Sequence, residues 1–307
     1  LAVVPDPQVT IVIPTRNRWE LLSRHALPSA LGQEHVDVEV VVVDDASTDG
    51  TAERLSALSD ERVRVGRPER RGQAHARNAG IAEARGEWVA FLDDDDVWSP
   101  RKLRAQLDAT EATGAVWAYA PMLVLDERLR VIGIVPAPEP SEVGRILRMR
   151  NALAAGSSTV IARADVARDL GGFDTDLNEL VDWDFWLRLA GAGPAAAARE
   201  PLVGYVLHPG QLRLRGDWDV QREFRHFAAK HRLEGMDLYF SRWVAMGHLR
   251  AGRRLRAAAT YLRSGLAHRS LGNVVRAGAA LVGERAFELR RRLVADRNEP
   301  EWLERYR

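Results

Sequence analysis

Apolar residues alternate between two periods along the first third of the chain. Val9–Ile13, Val38–Val43, Val63–Val65 and Glu87–Leu92 are short runs rich in β-branched or apolar side chains, each the length of a strand. Between them, Glu20–Leu31, Thr51–Leu58 and Ala74–Ala84 repeat apolar residues at helical spacing, and Ser99-Pro100 predicts a helix with an N-cap and a proline at its first position. Val38–Val43 is almost unbroken, as in a parallel strand covered on both faces. Successive βα units of this length predict an α/β chain with a doubly wound sheet and right-handed crossovers. Ligands in such sheets bind beyond the carboxyl ends of the strands.

The middle is less regular. Val116–Val124 and Val131–Val135 read as strands, followed by a proline-rich break at 136–140. A helix around Glu142–Arg150, a small-residue loop at Ala154–Ser158, a strand at Ser158–Ala162 and a helix at Trp183–Ala190 come next. Leu202–Leu207 is the last strand of this region, and from about Trp218 the pattern is helical and Arg-rich, with breaks near Gly235 and Gly272.

Charge divides the chain in the same place. Residues 1–210 carry 23 basic and 32 acidic side chains, a net of −9, whereas residues 211–307 carry 21 and 11, a net of +10. An acidic body with a basic tail indicates two regions with different jobs. Only Lys102 and Lys230 are lysine, an arginine bias that reflects codon usage more than function. The absence of cysteine excludes a disulfide framework and a thiolate metal site. Apolar runs stay far below the ~20 residues of a membrane helix, and no leader pattern is visible at Leu1. A cytoplasmic location is expected. Peripheral contact with the inner membrane face through the C-terminal helices is left open beside the plainer reading, a helical appendage burying one face. Acidic residues interleave the last arginines, which argues against a nucleic-acid arm.

The chemistry concentrates at strand ends. Asp93 to Asp96 follow the fourth strand. Four like charges there repel and lose hydration, so a hard divalent cation with a phosphate ligand is one reading and a solvated, helix-capping turn the other. The first strand ends in Pro14, Thr15, Arg16 and Asn17, with no G-x-G-x-x-G turn, which weakens a dinucleotide-dependent oxidoreductase. The second ends in Asp44-Asp45, where a carboxylate can accept the imide N–H of uracil; Ser47 to Asp49 suit a helix N-terminus. Gly72 precedes a helix whose N-terminus favours anions, and Arg77 lies one turn in.

Together these segments resemble the family 2 glycosyltransferases of the GT-A fold. The residues carrying the resemblance are Val9-Thr-Ile-Val-Ile-Pro-Thr-Arg-Asn-Arg18, Val43-Asp-Asp-Ala-Ser-Thr-Asp-Gly-Thr51, Ala76-Arg-Asn-Ala-Gly80 and Phe91-Leu-Asp-Asp-Asp-Asp-Val-Trp98, in order over roughly residues 8–110. The resemblance implies a doubly wound mixed sheet and a C-terminal helical extension. Pro14, Thr15, Asn17, Asp44, Asp45, Arg77, Asp93 and Asp94 would bind the donor nucleotide, with Asp44 on the base. Asp93 and Asp95 match the D-x-D element that holds Mn²⁺ or Mg²⁺ against the diphosphate. In an extended segment alternate residues face one way, which suits that pair. Asp94 and Asp96 are left for ribose contact or helix capping.

A thinner likeness continues through Gly171-Gly-Phe-Asp174 and Leu180-Val-Asp-Trp-Asp-Phe-Trp-Leu-Arg188, with Val181 where the family often has Glu. It implies Asp182 as the catalytic base, with an N-cap role as the plain alternative and Asp184 as fallback. His208 would help bind metal or diphosphate, or is an ordinary loop histidine. The expectation is a GT-A catalytic domain at 1–215, its nucleotide-sugar half at about 1–112 and its acceptor half at about 113–215, followed by a helical extension at 216–307. The expected reaction is metal-dependent, inverting transfer of a hexosyl or aminohexosyl group from a nucleotide-diphospho-sugar, a UDP-sugar, to a hydroxyl of a saccharide, lipid-linked or small-molecule acceptor. The rivals are a non-catalytic nucleotide-sugar or partner-binding protein on the same fold, and a sugar nucleotidyltransferase. The latter would want a glycine-rich basic loop after the first strand.

Overall fold

The computed structural model describes residues 6–153, 156–208, 220–283 and 299–307. Its strands are β1 (Val9–Thr15), β2 (Val38–Asp44), β3 (Val63–Gly66), β4 (Trp88–Phe91), β5 (Val97–Trp98), β6 (Trp117–Tyr119), β7 (Met122–Leu125), β8 (Val131–Val135), β9 (Val160–Arg163), β10 (Ala195–Ala197) and β11 (Val203–Val206). Seven of them form a mixed sheet in the order β10-β6-β9-β4-β1-β2-β3. The expected βα units supply its parallel half, β4-β1-β2-β3; β9 then enters antiparallel between β4 and β6. Every residue of β1 and β2 is buried, as two covered faces require.

Register carries the acidic runs to one place. Thr15 pairs with Asp44, and Leu92 N–H bonds to Val12 O, so the ends of β2 and β4 flank the end of β1. A second, four-stranded sheet, β5-β11-β7-β8, lies beyond. Its β5 follows Asp96 directly and pairs with β11, through Trp98 opposite Val203. The acidic segment is thereby held between two sheets.

Several sequence expectations are corrected. The 19–31 segment is not one regular helix: Trp19–Leu21 and Leu27–Leu31 flank a π-helical turn, Leu22–Ala26. Pro28 has no N–H to give and its ring displaces the preceding turn, which accounts for the wider turn there. Ser99 does not cap the next helix, which runs Lys102–Thr113 behind Arg101, while Ser99 and Pro100 form the preceding turn. Val116–Val124 divides at Ala120-Pro121 into β6 and β7 of different sheets. The short Ala164–Asp169 helix and the all-alanine β10 gave no sequence signal.

The chain divides into two compact units. One comprises residues up to Leu207, apart from 148–150, together with the C-terminal end; the other comprises 148–150 and 208–297. The border thus falls ahead of the expected 215/216, and the last residues do not belong to a single extension. Leu303 explains their return: it is fully buried among Val97, Leu123, Leu125, Leu129 and Val206 of the first unit. The second unit holds helices Val220–Lys230, Asp237–Arg250, Arg254–Ala267 and Leu271–Val282. Its core gathers Ala245, Leu249, Ala257, Tyr261, Ala277 and Ala280. Breaks fall around Gly235, Gly252 and 268–270, and Gly272 lies inside the last helix. Trp218 and the 284–298 stretch lie outside the described residues. Among the described residues no helix is long and apolar enough to cross a membrane.

Gly80 illustrates how tightly the first unit is built. It faces β1 from the Gln73–Glu83 helix, and a Cβ there would stand 2.3 Å from Cγ1 of fully buried Val12. This glycine of the Ala76–Gly80 motif therefore serves close helix–sheet packing. Gly80→Ala should destabilise the protein by about 1–3 kcal/mol in urea unfolding, against the ~1 kcal/mol that alanine gains by helix propensity. Adding Val12→Ala should recover part of that loss, because it removes the clashing methyl groups.

Candidate active site

The loops that end β1 and β2 are stitched together by their own polar groups. Asn17, at φ 54°, donates its backbone N–H to Ser47 Oγ (2.9 Å) and accepts Thr48 N–H on Oδ1 (2.6 Å). Asp44 Oδ1 accepts Ser47 N–H at 3.1 Å, and both oxygens of Asp45 accept Gly72 N–H at 3.1 Å. Asp44 and Asp45 are buried, so these contacts replace lost hydration. Pro14, in register with Val43, closes β1. The predicted nucleoside-side residues are thus brought together at the strand ends. Asn17 and Asp45 already hold loops, and Asp44 keeps its second oxygen outside the Ser47 contact.

The four aspartates are not extended. Asp96 N–H bonds back to Asp93 O at 3.2 Å, closing a turn. Alternation therefore fails, and the carboxylates sort differently. Asp94 and Asp95 share one cation: Arg18 Nη1 donates to Asp94 Oδ1 at 3.0 Å and Asp95 Oδ2 at 2.9 Å, while Thr15 Oγ donates to Asp94 Oδ2 at 2.8 Å. Asp93 instead faces Arg77, and Asp96 points inward to Ser158 Oγ (2.5 Å) and Val206 N–H (3.3 Å). Asp96 is fully buried and is neither a ribose contact nor a helix cap.

Arg77 does not reach outward to a nucleotide. Its side chain is fully buried, with Nη2 donating to Asp93 Oδ1 at 2.6 Å and Nη1 to Asp182 Oδ1 at 3.0 Å. The guanidinium lies 5.2 Å from the Phe173 ring centre. Phe173 packs in turn with Phe91, Phe185 and Trp186, which dock the Val181–Ala192 helix onto β4. Asp182 is the second residue of that helix, behind Leu180, so it is not the N-cap; a carboxylate in the first turn still suits the helix dipole. Asp184 is fully buried and bound to Arg188, which removes it as a fallback base.

One loop closes over this pair. Gly156 adopts φ 66°, and a Cβ there would lie 2.9 Å from Asp93 Oδ2 and 3.6 Å from Asp182 Oδ2. Only glycine lets backbone approach the two carboxylates so closely in this conformation. Ser157 Oγ donates to Asp93 Oδ1, and Ser158 Oγ accepts Asp93 N–H, both at 3.1 Å. Gly156, Ser157, Ser158 and Arg18 are the site residues that sequence reasoning left without a role. Their only signals were the small-residue loop and the second arginine of the first motif. His208, half-buried after β11, groups with the second unit; Pro209 to Gln211 lie outside the described residues.

Crowding of charge governs ionisation here. Burial, and then Asp95, push Asp94 up to about 7 against the pull of Arg18 and Thr15. Asp96 is raised well above the carboxylate range by burial and by Asp95 and Asp93. Asp182 is raised to about 6 by burial, with Arg77 lowering it and Asp93 raising it. Among the described residues no three acidic or histidine side chains form a ready-made metal site. The donor set nonetheless fits Mg²⁺ or Mn²⁺ bound by one or two carboxylates and completed by phosphate oxygens. Asp93 and Asp95 keep 20% and 10% of their side chains exposed, more than Asp94 at 6%.

A pH-dependent stability follows from Asp94. With its folded-state value raised to about 7, folding favours the protonated carboxyl, so this contribution is complete below about pH 4 and is lost as pH rises towards 7. Asp94→Asn, which mimics the protonated form, should gain about 2–3 kcal/mol on the native protein between about pH 5 and pH 7 and nothing further above. Urea titrations of both proteins across that range measure the slope. A constant difference between them would show that Asp94 does not titrate in the window.

Comparison with known proteins gives the chain's likenesses. Residues 10–132 match the family model described as glycosyl transferase family 2. Over 115 residues the chain is 48% identical to the succinoglycan biosynthesis protein ExoO of Rhizobium meliloti (strain 1021), covering 37% of this chain and 33% of that protein. The chain therefore spans about a third of that relative's length. A longer match, 27% identical over 207 residues, covers 66% of this chain and 79% of the Escherichia coli protein WfaP, a UDP-Glc:alpha-D-GlcNAc-diphosphoundecaprenol beta-1,3-glucosyltransferase. Among solved structures, S. aureus TarS 1–349 in complex with UDP-GlcNAc superposes with a TM-score of 0.59 at 17% identity, covering 94% of this chain and 89% of that one. That likeness shows the fold, which is GT-A. The likeness to glycosyl transferase family 2 is carried by residues 10–132 of the chain.

Proposed function

We propose that the protein transfers a sugar from a nucleoside-diphosphate sugar, a UDP-sugar, to an acceptor hydroxyl with inversion at the anomeric carbon. The observation that carries this reading is the Arg77 bridge, which ties Asp93, at the end of β4, to Asp182, on a helix 89 residues further on. A donor-side carboxylate and a candidate base are thereby held at one guanidinium. The relatives support the donor class: TarS was solved with UDP-GlcNAc, and WfaP is named for UDP-Glc. WfaP's named acceptor, a sugar on diphosphoundecaprenol, makes a lipid-linked saccharide hydroxyl the first acceptor class to try.

In the proposed reaction the Asp182 carboxylate takes the proton of the acceptor hydroxyl. The acceptor oxygen bonds to the anomeric carbon as the bond to the diphosphate oxygen breaks, and the electron pair leaves with the diphosphate on the opposite face. Asp93 and Asp95 would hold Mg²⁺ or Mn²⁺, which would neutralise charge on the departing diphosphate. Asp44 would accept the uracil imide N–H, and Gly156 to Ser158 would cover the carboxylates from solvent. Arg77 holds the base in place and in its ionised form, a positioning role in place of nucleotide contact.

Thermal shift of the protein with UDP-sugars, with and without Mn²⁺, tests the donor reading; failure of every nucleotide-sugar to stabilise the protein overturns it. Asp182→Asn should retain UDP binding and lose transfer by about 10²–10⁴-fold. A native protein that binds UDP with Mn²⁺ yet transfers no sugar would instead be a binding protein. Because the base works deprotonated, the rate should fall as pH drops through about 6. Arg77→Gln removes the cation that lowers Asp182 and should move that limb to higher pH, a displacement that loss of stability alone would not produce.

A further inference from the structure

The Arg254–Ala267 and Leu271–Val282 helices form a hairpin whose inner faces supply the core of the second unit. The hairpin is close: Gly265 leaves room for Val274, whose Cγ2 would lie 2.8 Å from a Cβ at that position. Its tip is apolar and exposed. Leu266 and Leu271, on either side of the turn, are 69% and 82% exposed, and Leu262 and Val275, one helical turn back along each arm, are 44% and 71% exposed. Soluble surfaces carry single apolar residues without consequence, but a contiguous patch marks a contact surface.

Charge identifies the partner. Residues 251–283 contain six arginines and no aspartate or glutamate. Arg263, His268 and Arg269 are exposed at the same tip. A second copy of the tip would bring arginine against arginine with no carboxylate in the segment to pair it. Exposed aliphatic side chains with exposed arginines close in sequence instead suit the boundary of an anionic bilayer, where the chains enter the headgroup region and the guanidinium groups meet phosphates. We infer that this hairpin tip docks the protein on an anionic phospholipid surface. The inference uses residues of the second unit only and does not depend on the proposed transfer reaction.

Flotation of the full chain with vesicles tests it. The protein should float with phosphatidylcholine vesicles containing phosphatidylglycerol and remain largely free with phosphatidylcholine alone. Leu266→Glu with Leu271→Glu should weaken binding more than about tenfold, since both aliphatic anchors are lost. Arg263→Gln with Arg269→Gln should weaken it by roughly the same factor and flatten its dependence on salt, at about fivefold per arginine. All four positions are exposed, so circular dichroism and melting temperature should stay as in the native chain. Absence of native binding to the anionic vesicles, or variants that float as well as the native protein, would overturn the inference. So would self-association in sedimentation that the leucine variants abolish, because the tip would then belong to a second copy.

Discussion

The buried guanidinium of Arg77 is the interaction on which the rest of the site depends. An isolated charge in a protein interior is expensive, and arginine cannot relieve the cost by losing its proton. Here two carboxylates and an aromatic face meet it. The planar fork lets one residue satisfy Asp93 and Asp182 in separate directions, which a lysine ammonium would not do with the same fixed geometry. The bridge joins three elements far apart in sequence: the helix that carries Arg77, the turn after β4 and the helix that carries Asp182. Removing Arg77 would leave two carboxylates facing one another without their cation, so the three elements cannot adjust independently.

A second guanidinium completes the scheme without balancing it. Asp93 to Asp96 and Asp182 are five carboxylic groups, and among the described residues Arg18 and Arg77 are the cations that pair with four of them, Asp96 being held by Ser158 and Val206 instead. The imbalance appears as raised affinities for protons at Asp94, Asp96 and Asp182. A surface that holds protons for this reason also favours any other cation that fits, and in the proposed reaction Asp93 and Asp95 would receive it. Asp96 takes no part in that exchange. It is fully buried beneath the turn and ties Ser158 to β11, so one of the four aspartates is a joint between the two sheets.

The parallel half of the large sheet was legible because β-branched runs and helical periods alternate there at βα spacing. So were the strand-end residues, since topology sends them to one edge once β1 is central. The errors have a common physical origin: residues were read along the chain, whereas their partners lie across it. Asp93 and Asp95 looked paired by alternation until the backbone turned between them. Arg77 looked free to reach a ligand because nothing local shows that Phe173 and Asp182 close over it. Gly80 was legible only as the end of the Ala76–Gly80 motif, and its partner, Val12, lies across the chain. Gly156 to Ser158 registered only as a small-residue loop without a role, although small side chains are what allow backbone to approach two carboxylates. The N-cap reading of Asp182 missed by two positions, a shift that keeps the carboxylate in the first turn.

Choice between arginine and lysine also means more than composition implied. In a chain with 42 arginines and two lysines, Lys102 is fully buried, its Nζ 3.6 Å above the Trp98 ring and without a hydrogen-bond partner among the described residues. Burial drives its pKa well down, so the amine can sit there neutral, an option that a guanidinium lacks. Trp98 in turn donates Nε1–H to Ser158 O at 2.8 Å, and Gln106, one helical turn beyond Lys102, donates to Thr159 O at 2.9 Å. The same short segment that carries Ser157 and Ser158 to the aspartates is therefore held from behind by a layer without a fixed charge. Charge pairing at Arg77 fixes the carboxylates from one side, and this neutral layer fixes their serine partners from the other. The two buried basic side chains behave oppositely because, among the described residues, Arg77 has carboxylates to face and Lys102 has an aromatic ring.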